Sequence, residues 1–202
     1  TNIGFDSTAL LFTSDHGEEF FDHGDLGHRP KPYDELIHVP LLAYSEAFES
    51  TTVHQTVSHV DLGPTVTDLL EGTNAENWRG QSLLPLLEPS PESEWDSHEY
   101  VLSELSHTSG YGGNINPNKA IISIITNDWK YIHNEQIDSR ELYPRDAAEI
   151  EAYECAEEES IVEELRKIAT DRLAEISKKE VDKGEISEDL REQLHQLGYI
   201  DE

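Results

Sequence analysis

Residues 10–28, LLFTSDHGEEFFDHGDLGH, set Asp15, His16, Glu18, Glu19, Asp22, His23, Asp25 and His28 directly behind an apolar run. A carboxylate beside a neutral imidazole can hold a divalent cation, the Asp through its charge and the His through one ring nitrogen. Asp15 and His16 emerge where the run 9–12 stops, the rim at which open α/β sheets bind their ligands. Adjacent side chains of an extended strand point to opposite faces, so both reach one ion only if the strand end twists or bends. Gly17 leaves the backbone free to turn there. Taken alone, Asp-His-Gly also describes an ordinary solvated turn, and Glu18, Glu19, Asp22 and Asp25 read as solvated loop carboxylates.

The elements that must position these groups follow from pattern. The short continuous run 9–12 suits a parallel strand covered on both faces, and HVPLLAYS, residues 38–45, is a second strand. Between them lies a polar loop of about 25 residues, longer than connections without function usually are. SHVDLGPTVTDLLEG predicts a helix with Asp61 as N-cap, Leu62, Val66, Leu69 and Leu70 as its apolar face and Gly72 as its stop. Strand, loop, strand, helix is an α/β order. The Pro- and Ser-rich stretch 88–96 divides the chain into a segment 1–90 and a segment 91–202. In the second, EYVLSEL, AIISIITND and WKYIHNE predict a small antiparallel sheet with a turn at Asn127-Asp128. ELYPRDAAEIEA reads as a loop into a helical tail, where Ile161, Leu165, Ile168 and Ala169, then Leu190, Leu194 and Leu197, recur at helical spacing.

Charge narrows the partners. With 43 acidic against 14 basic residues the chain carries a formal net charge of -29, which repels nucleic acid and anionic membrane surfaces. An anionic substrate would be repelled as well unless a local cation reversed the sign. The acidity is spread along the whole chain, as in proteins of a salt-saturated cytoplasm, and a halophilic, cytoplasmic protein is the expectation. No stretch has the ~20 apolar residues of a membrane span. The lone cysteine, Cys155, sits among Glu154, Glu157 and Glu158, which disfavour a thiolate.

FTSDHGEEFFDHGDLGH, YDELIHVPLL, HVDLGPTVTDLL, GQSLLPLL, NDWKYI, ELY and LHQLGYID, in that order, resemble the C-terminal half of the sulfatase family within the alkaline-phosphatase superfamily. The resemblance runs from about Phe5 to Asp201 and implies part of an alkaline-phosphatase-like, mostly parallel α/β sheet, followed by the small antiparallel sheet and helical tail. It implies that Asp15 and His16 are ligands of a divalent metal, Ca or Mg with Mn as a further candidate. Where many members place a Lys on the sulfuryl oxygens and leaving group, this chain has His28, twelve residues after His16. His28 does that work when protonated, or by donating one hydrogen bond when neutral. Lys31 and Arg29 are near enough in sequence to supply a fixed charge instead.

The resemblance therefore implies a metal-dependent sulfuric ester hydrolase acting on a sulfated or phosphorylated small molecule or sugar. Two rivals stand beside it: a phosphomonoesterase, phosphodiesterase or phosphotransferase of the same superfamily, and a non-catalytic acidic module. The family draws its nucleophile from a Cys/Ser-x-Pro-x-Arg motif and two more acidic ligands from its first strand. None of the 202 residues forms that motif, and Cys155 lacks the Pro and Arg. Together with the absence of an initial Met, this predicts a C-terminal fragment carrying half of an active site, inactive without its N-terminal half.

Overall fold

The computed structural model describes residues 8–73, 78–88, 95–106, 119–145 and 159–178. Cys155, the leucines of 190–197 and the stretch 89–94 lie outside the described residues.

The best-built part is the C-terminal sheet, in which β5 (Val101–Ser106), β6 (Ala120–Ile125), β7 (Trp129–Asn134) and β8 (Ser139–Pro144) lie in that order, every pair antiparallel. Strand β6, AIISII, buries five of its six side chains, because both faces of the sheet are covered. On one face Ile122, Ile124, Tyr131 and Leu142 meet Val162, Leu165, Ala169 and Leu173 of the helix α4 (Glu159–Lys178). Those helix positions recur every three or four residues, the period that lays one stripe on a sheet. Arg172 of α4 forms a forked ion pair with Glu104 of β5, fixing the helix along the strands. On the other face Ile121, Ile132 and Tyr143 pack with Leu105 and Tyr33, so the sheet's second face receives the N-terminal segment. ELYP, expected to be loop, is strand β8: Tyr143 and Leu142 are buried while Glu141 accepts a hydrogen bond from Tyr33. The expected turn at Asn127-Asp128 is present, closed by Thr126 N–H donating to the Trp129 carbonyl at 2.8 Å and by Trp129 N–H donating to Thr126 Oγ1 at 2.9 Å.

In the N-terminal segment β1 (Leu10–Thr13) pairs with β4 (Leu41–Tyr44). The pair is antiparallel, with Leu10 opposite Tyr44 and Phe12 opposite Leu42, so the parallel neighbour and double cover expected of β1 are not among the described residues. Leu10, Phe12, Leu42 and Tyr44 share one face and are 50–62% exposed, so that face has no cover among the described residues. Within the described residues the ladders are all antiparallel.

A 3₁₀ turn, His59–Asp61, leads into α2 (Leu62–Leu69). Asp61 does not cap that helix with its side chain. It is fully buried, accepting from Ser58 N–H, Gln81 N–H and His98 Nε2 at 2.8–3.1 Å. The buried face of α2 is Pro64 and Thr65, not the expected apolar stripe, since Val66 and Leu70 are exposed. Thr65 Oγ1 donates to the Asp61 carbonyl and accepts from Leu83 N–H, just before α3 (Leu84–Leu87), which is why a hydroxyl occupies that position. The left-handed residue ending α2 is Glu71, φ 51°; Gly72 is required instead by close approach, because a Cβ there would lie 2.8 Å from Thr67 Cγ2. No helix among the described residues is long and apolar enough to cross a membrane.

Candidate metal and oxyanion site

The site is built outward from the second face of the C-terminal sheet. Tyr33 donates from its hydroxyl to Glu141 at 2.9 Å, and Asp34, first residue of α1 (Asp34–Ile37), is paired with buried Lys130 at 2.8 Å and with Arg145 at 3.3 Å. Burial alone would raise the Asp34 carboxyl; the charges of Lys130 and then Arg145 hold it below its ordinary value. With α1 fixed, its backbone receives the strand end, as Gly17 N–H donates to the Leu36 carbonyl at 2.9 Å. A Cβ on Gly17 would stand 2.0 Å from the Glu35 carbonyl oxygen, so glycine is required by contact. His23 stacks on Tyr33 with ring centroids 3.6 Å apart and pairs through Nδ1 with Glu35 at 2.7 Å. It is scaffolding of the loop.

Beyond Gly17 a hairpin with a five-residue turn joins β2 (Glu19–Phe20) to β3 (Leu26–Gly27), with Glu19 opposite Gly27. That register sets the flanking residues Glu18 and His28 across from one another, and Glu18 Oε2 lies 3.5 Å from His28 Nδ1. Alternation then sends Glu18 and Glu19 to opposite sides. Glu19 turns inward and is fully buried, contrary to its reading as a solvated carboxylate. Its Oε1 accepts the N–H groups of His23 and Asp25 at 3.0 and 2.9 Å, and its Oε2 accepts from Lys31 at 3.2 Å. Burial would raise the Glu19 carboxyl, but the Asp25 N–H, the Lys31 ammonium and the His23 N–H hold it below its ordinary value. Asp25, 2.6 Å from Lys31, is lowered chiefly by that ammonium. Burial pulls the Lys31 ammonium down, and Asp25 and Glu19 outweigh it, leaving its pKa raised.

The residues expected to do chemistry divide accordingly. Asp15 is almost fully exposed and its Oδ1 accepts the His16 N–H at 3.0 Å, the chief cause of its lowered pKa. His16 Nδ1 lies 2.7 Å from the Gly17 carbonyl, which can only accept, so Nδ1 carries the hydrogen and, in the neutral ring, Nε2 keeps its lone pair. Asp15 Oδ2 is 3.8 Å from that Nε2, less than twice the ~2.3–2.6 Å metal–oxygen distance of a calcium site. This pair fits one divalent cation. The His28 ring stands 4.6 Å from the His16 ring and is exposed to incoming solute. Lys31, by contrast, is held inside the loop by Glu19 and Asp25, and Arg29 lies 3.6 Å from Asp25.

Sequence reasoning missed Glu18 as a neighbour of His28 and Glu19 as the centre of the loop. The signal available was the alternation of two adjacent glutamates at the start of a hairpin, one facing each way.

Residues 4–73 match the Sulfatase family. The chain is 33% identical over 134 residues to arylsulfatase K of Canis lupus familiaris, covering 62% of this chain and 23% of that protein. Among solved structures, a 2-O GAG sulfatase superposes with a TM-score of 0.71 at 24% identity, covering 85% of this chain and 37% of that one. A phosphonate monoester hydrolase from Silicibacter pomeroyi gives 0.66 at 20% identity, covering 84% of this chain and 35% of that one. These likenesses place the described strands and helices in the alkaline-phosphatase-like α/β fold. The chain spans about a quarter of the length of the curated relatives it matches. With the Asp15–His16 pair at its strand end, the chain is similar in sequence to sulfatases, whose family model matches residues 4–73, and it shares their fold.

Proposed function

We propose that this chain supplies the metal-and-oxyanion half of a sulfatase active site, and that the whole enzyme hydrolyses a sulfate ester, of which a sulfated sugar is the favoured class. The observation that carries the reading is the convergence of Asp15 Oδ2, His16 Nε2 and the His28 ring at one exposed strand end. Asp15 and His16 would hold a divalent cation, which when bound neutralises a sulfuryl oxygen and lowers the pKa of a nucleophile hydroxyl. In a chain of net charge -29 this positive centre is what lets an anionic ester approach. His28, standing next to His16, donates a hydrogen bond to the sulfuryl group or protonates the departing oxygen. Lys31 is less suited to that task, since its ammonium already serves two carboxylates. The nucleophile comes from residues other than these 202, which hold no Cys/Ser-x-Pro-x-Arg motif.

The sugar preference draws on the 2-O GAG sulfatase that shares the fold, and a phosphate or phosphonate ester is the second reading, favoured by the phosphonate monoester hydrolase that shares it too. Co-expression with a sulfatase segment bearing the nucleophile and the two remaining acids tests both. The expected result is calcium- or magnesium-dependent release of p-nitrophenol from its sulfate ester, faster than from its phosphate ester. Asp15→Ala should lower that rate by more than the ~10–100-fold that loss of an outer metal partner costs. Full turnover in Asp15→Ala would reduce the loop to a solvated turn, and a faster phosphate reaction would favour the second reading.

A further inference from the structure

We propose that His16, Glu18 and His28 form a three-donor site for a borderline dication of the zinc, cobalt and nickel class, and that filling this site withdraws His28 from the substrate. One ligand atom from each of the three lies within 4.8 Å of those of the other two. Two imidazoles and one carboxylate are a set that zinc enzymes use, leaving a fourth position open, whereas calcium and magnesium prefer oxygen donors. The convergence follows from the backbone: the hairpin register sets Glu18 across from His28, and the Gly17 carbonyl orients His16 with its Nε2 lone pair free. A tetrahedral zinc site holds its donors about 3.3 Å apart, from metal–nitrogen distances of ~2.0–2.1 Å. All three side chains are exposed, so small rotamer changes close the remaining gap at little cost. Glu18 has no part in the hydrolytic scheme above, and this is the use the geometry offers it.

Binding stands on these residues alone. Its consequence, inhibition of ester hydrolysis, rests on the sulfatase reading, because His16 and His28 cannot serve both sites at once.

The test is titration of the full chain with Co²⁺, read by visible absorption, with Zn²⁺ as competitor and Ca²⁺ in parallel. One equivalent should bind, and His16→Ala, Glu18→Ala and His28→Ala should each weaken Co²⁺ by about tenfold or more, at the low end of what disturbing even the outer shell of a metal site costs. His54→Ala and His59→Ala serve as controls among the ten histidines and should change nothing. Unaltered melting temperatures in the exposed-site variants would show the fold intact. Asp15→Asn should weaken Ca²⁺ yet leave the cobalt spectrum in place. Cobalt binding that survives all three site substitutions, or that falls equally in the controls, would overturn the proposal. A preserved cobalt site in a complemented enzyme lacking sulfate-ester turnover would sink the sulfatase reading alone. Ester turnover with no cobalt site would sink this inference alone.

Discussion

Strand β6 buries Ala120, Ile121, Ile122, Ser123 and Ile124, whereas the loop from Ser14 to Tyr33 exposes Phe20, Phe21 and Leu26 and buries Glu19 instead. One region is held by apolar area and tolerates local rearrangement; the other is held by a few directional contacts, each needing its partner. The apolar block stabilises the chain, and the polar loop fixes where two histidines point. Both meet at Tyr33 and Asp34, which anchor the loop on the sheet through Glu141, Lys130 and Arg145. A fault in the block should therefore be felt as lost stability, and a fault in the loop as lost site geometry.

The largest expected effect sharpens the first half of that contrast. Leu142→Ala removes a fully buried side chain packed against α4 and should cost about 2–5 kcal/mol, read by chemical denaturation. At temperatures where the variant remains folded, cobalt and calcium affinity should be unchanged. Lost affinity in a folded Leu142→Ala chain would break the separation.

Next comes Gly17→Ala, whose new methyl would meet the Glu35 carbonyl at 2.0 Å, a contact with backbone that cannot rotate away. A cost of about 1–3 kcal/mol is expected from overpacking, confined to the loop. Loss of metal binding with only a modest shift of the main melting transition is the predicted signature. Full metal binding in this variant would mean that α1 does not position His16.

Phe21 offers a smaller test in the opposite direction. It sits at φ 71° and is exposed, a left-handed conformation that costs a residue with a Cβ roughly 1–2 kcal/mol. Nothing apolar repays it, so the hydrogen bonds around Glu19 and the Phe21 N–H to Asp25 carbonyl bond, 2.8 Å, must hold the turn. Phe21→Gly should stabilise the loop by up to about 1 kcal/mol with the site unmoved, measured by amide exchange at His23 and Asp25. Faster exchange there would show that the ring, not the polar contacts, supports the turn.

How much of this was legible depends on which force decides each element. A β-branched run announced β6, mixed apolar and aromatic side chains announced β5 and β7, and the three-to-four spacing announced α4, because the pattern of each marks the face it buries. Strand β8 escaped because Ser139, Arg140, Glu141 and Pro144 carry no apolar alternation; it is held by register with β7 and by Glu141 bonding Tyr33. In the site, Asp15, His16 and His28 were readable from an ordered set of motifs, and the structure brings them together. Lys31 was readable only as a nearby cation. Its engagement by Glu19 and Asp25 is set by a hairpin whose strands are two residues long, too short for any sequence period to reveal. The same limit hid Glu18. Asp61 was assigned to a helix cap by local rules, and tertiary contacts with Gln81 and His98 took it instead.

Acidity gives the finest probe of the loop, because Glu19 and Asp25 are lowered and Lys31 is raised, each away from neutrality. Glu19 and Asp25 are lowered from ordinary values of 4.5 and 3.8, so their contribution is fully present above those values and is lost as pH falls through the lowered ones. Lys31 is raised above 10.5, so its contribution is complete below that value and fades only as pH rises past the raised one. The two limits leave a plateau across neutrality. Exchange at the His23 and Asp25 amides, corrected for the intrinsic rate, should therefore stay level from pH 8 to about 5 and rise only in stronger acid. His23, stacked on Tyr33 and paired with Glu35, is the competing support. Protection lost between pH 8 and about 5 would show that the Glu19–Lys31–Asp25 cluster does not control the loop.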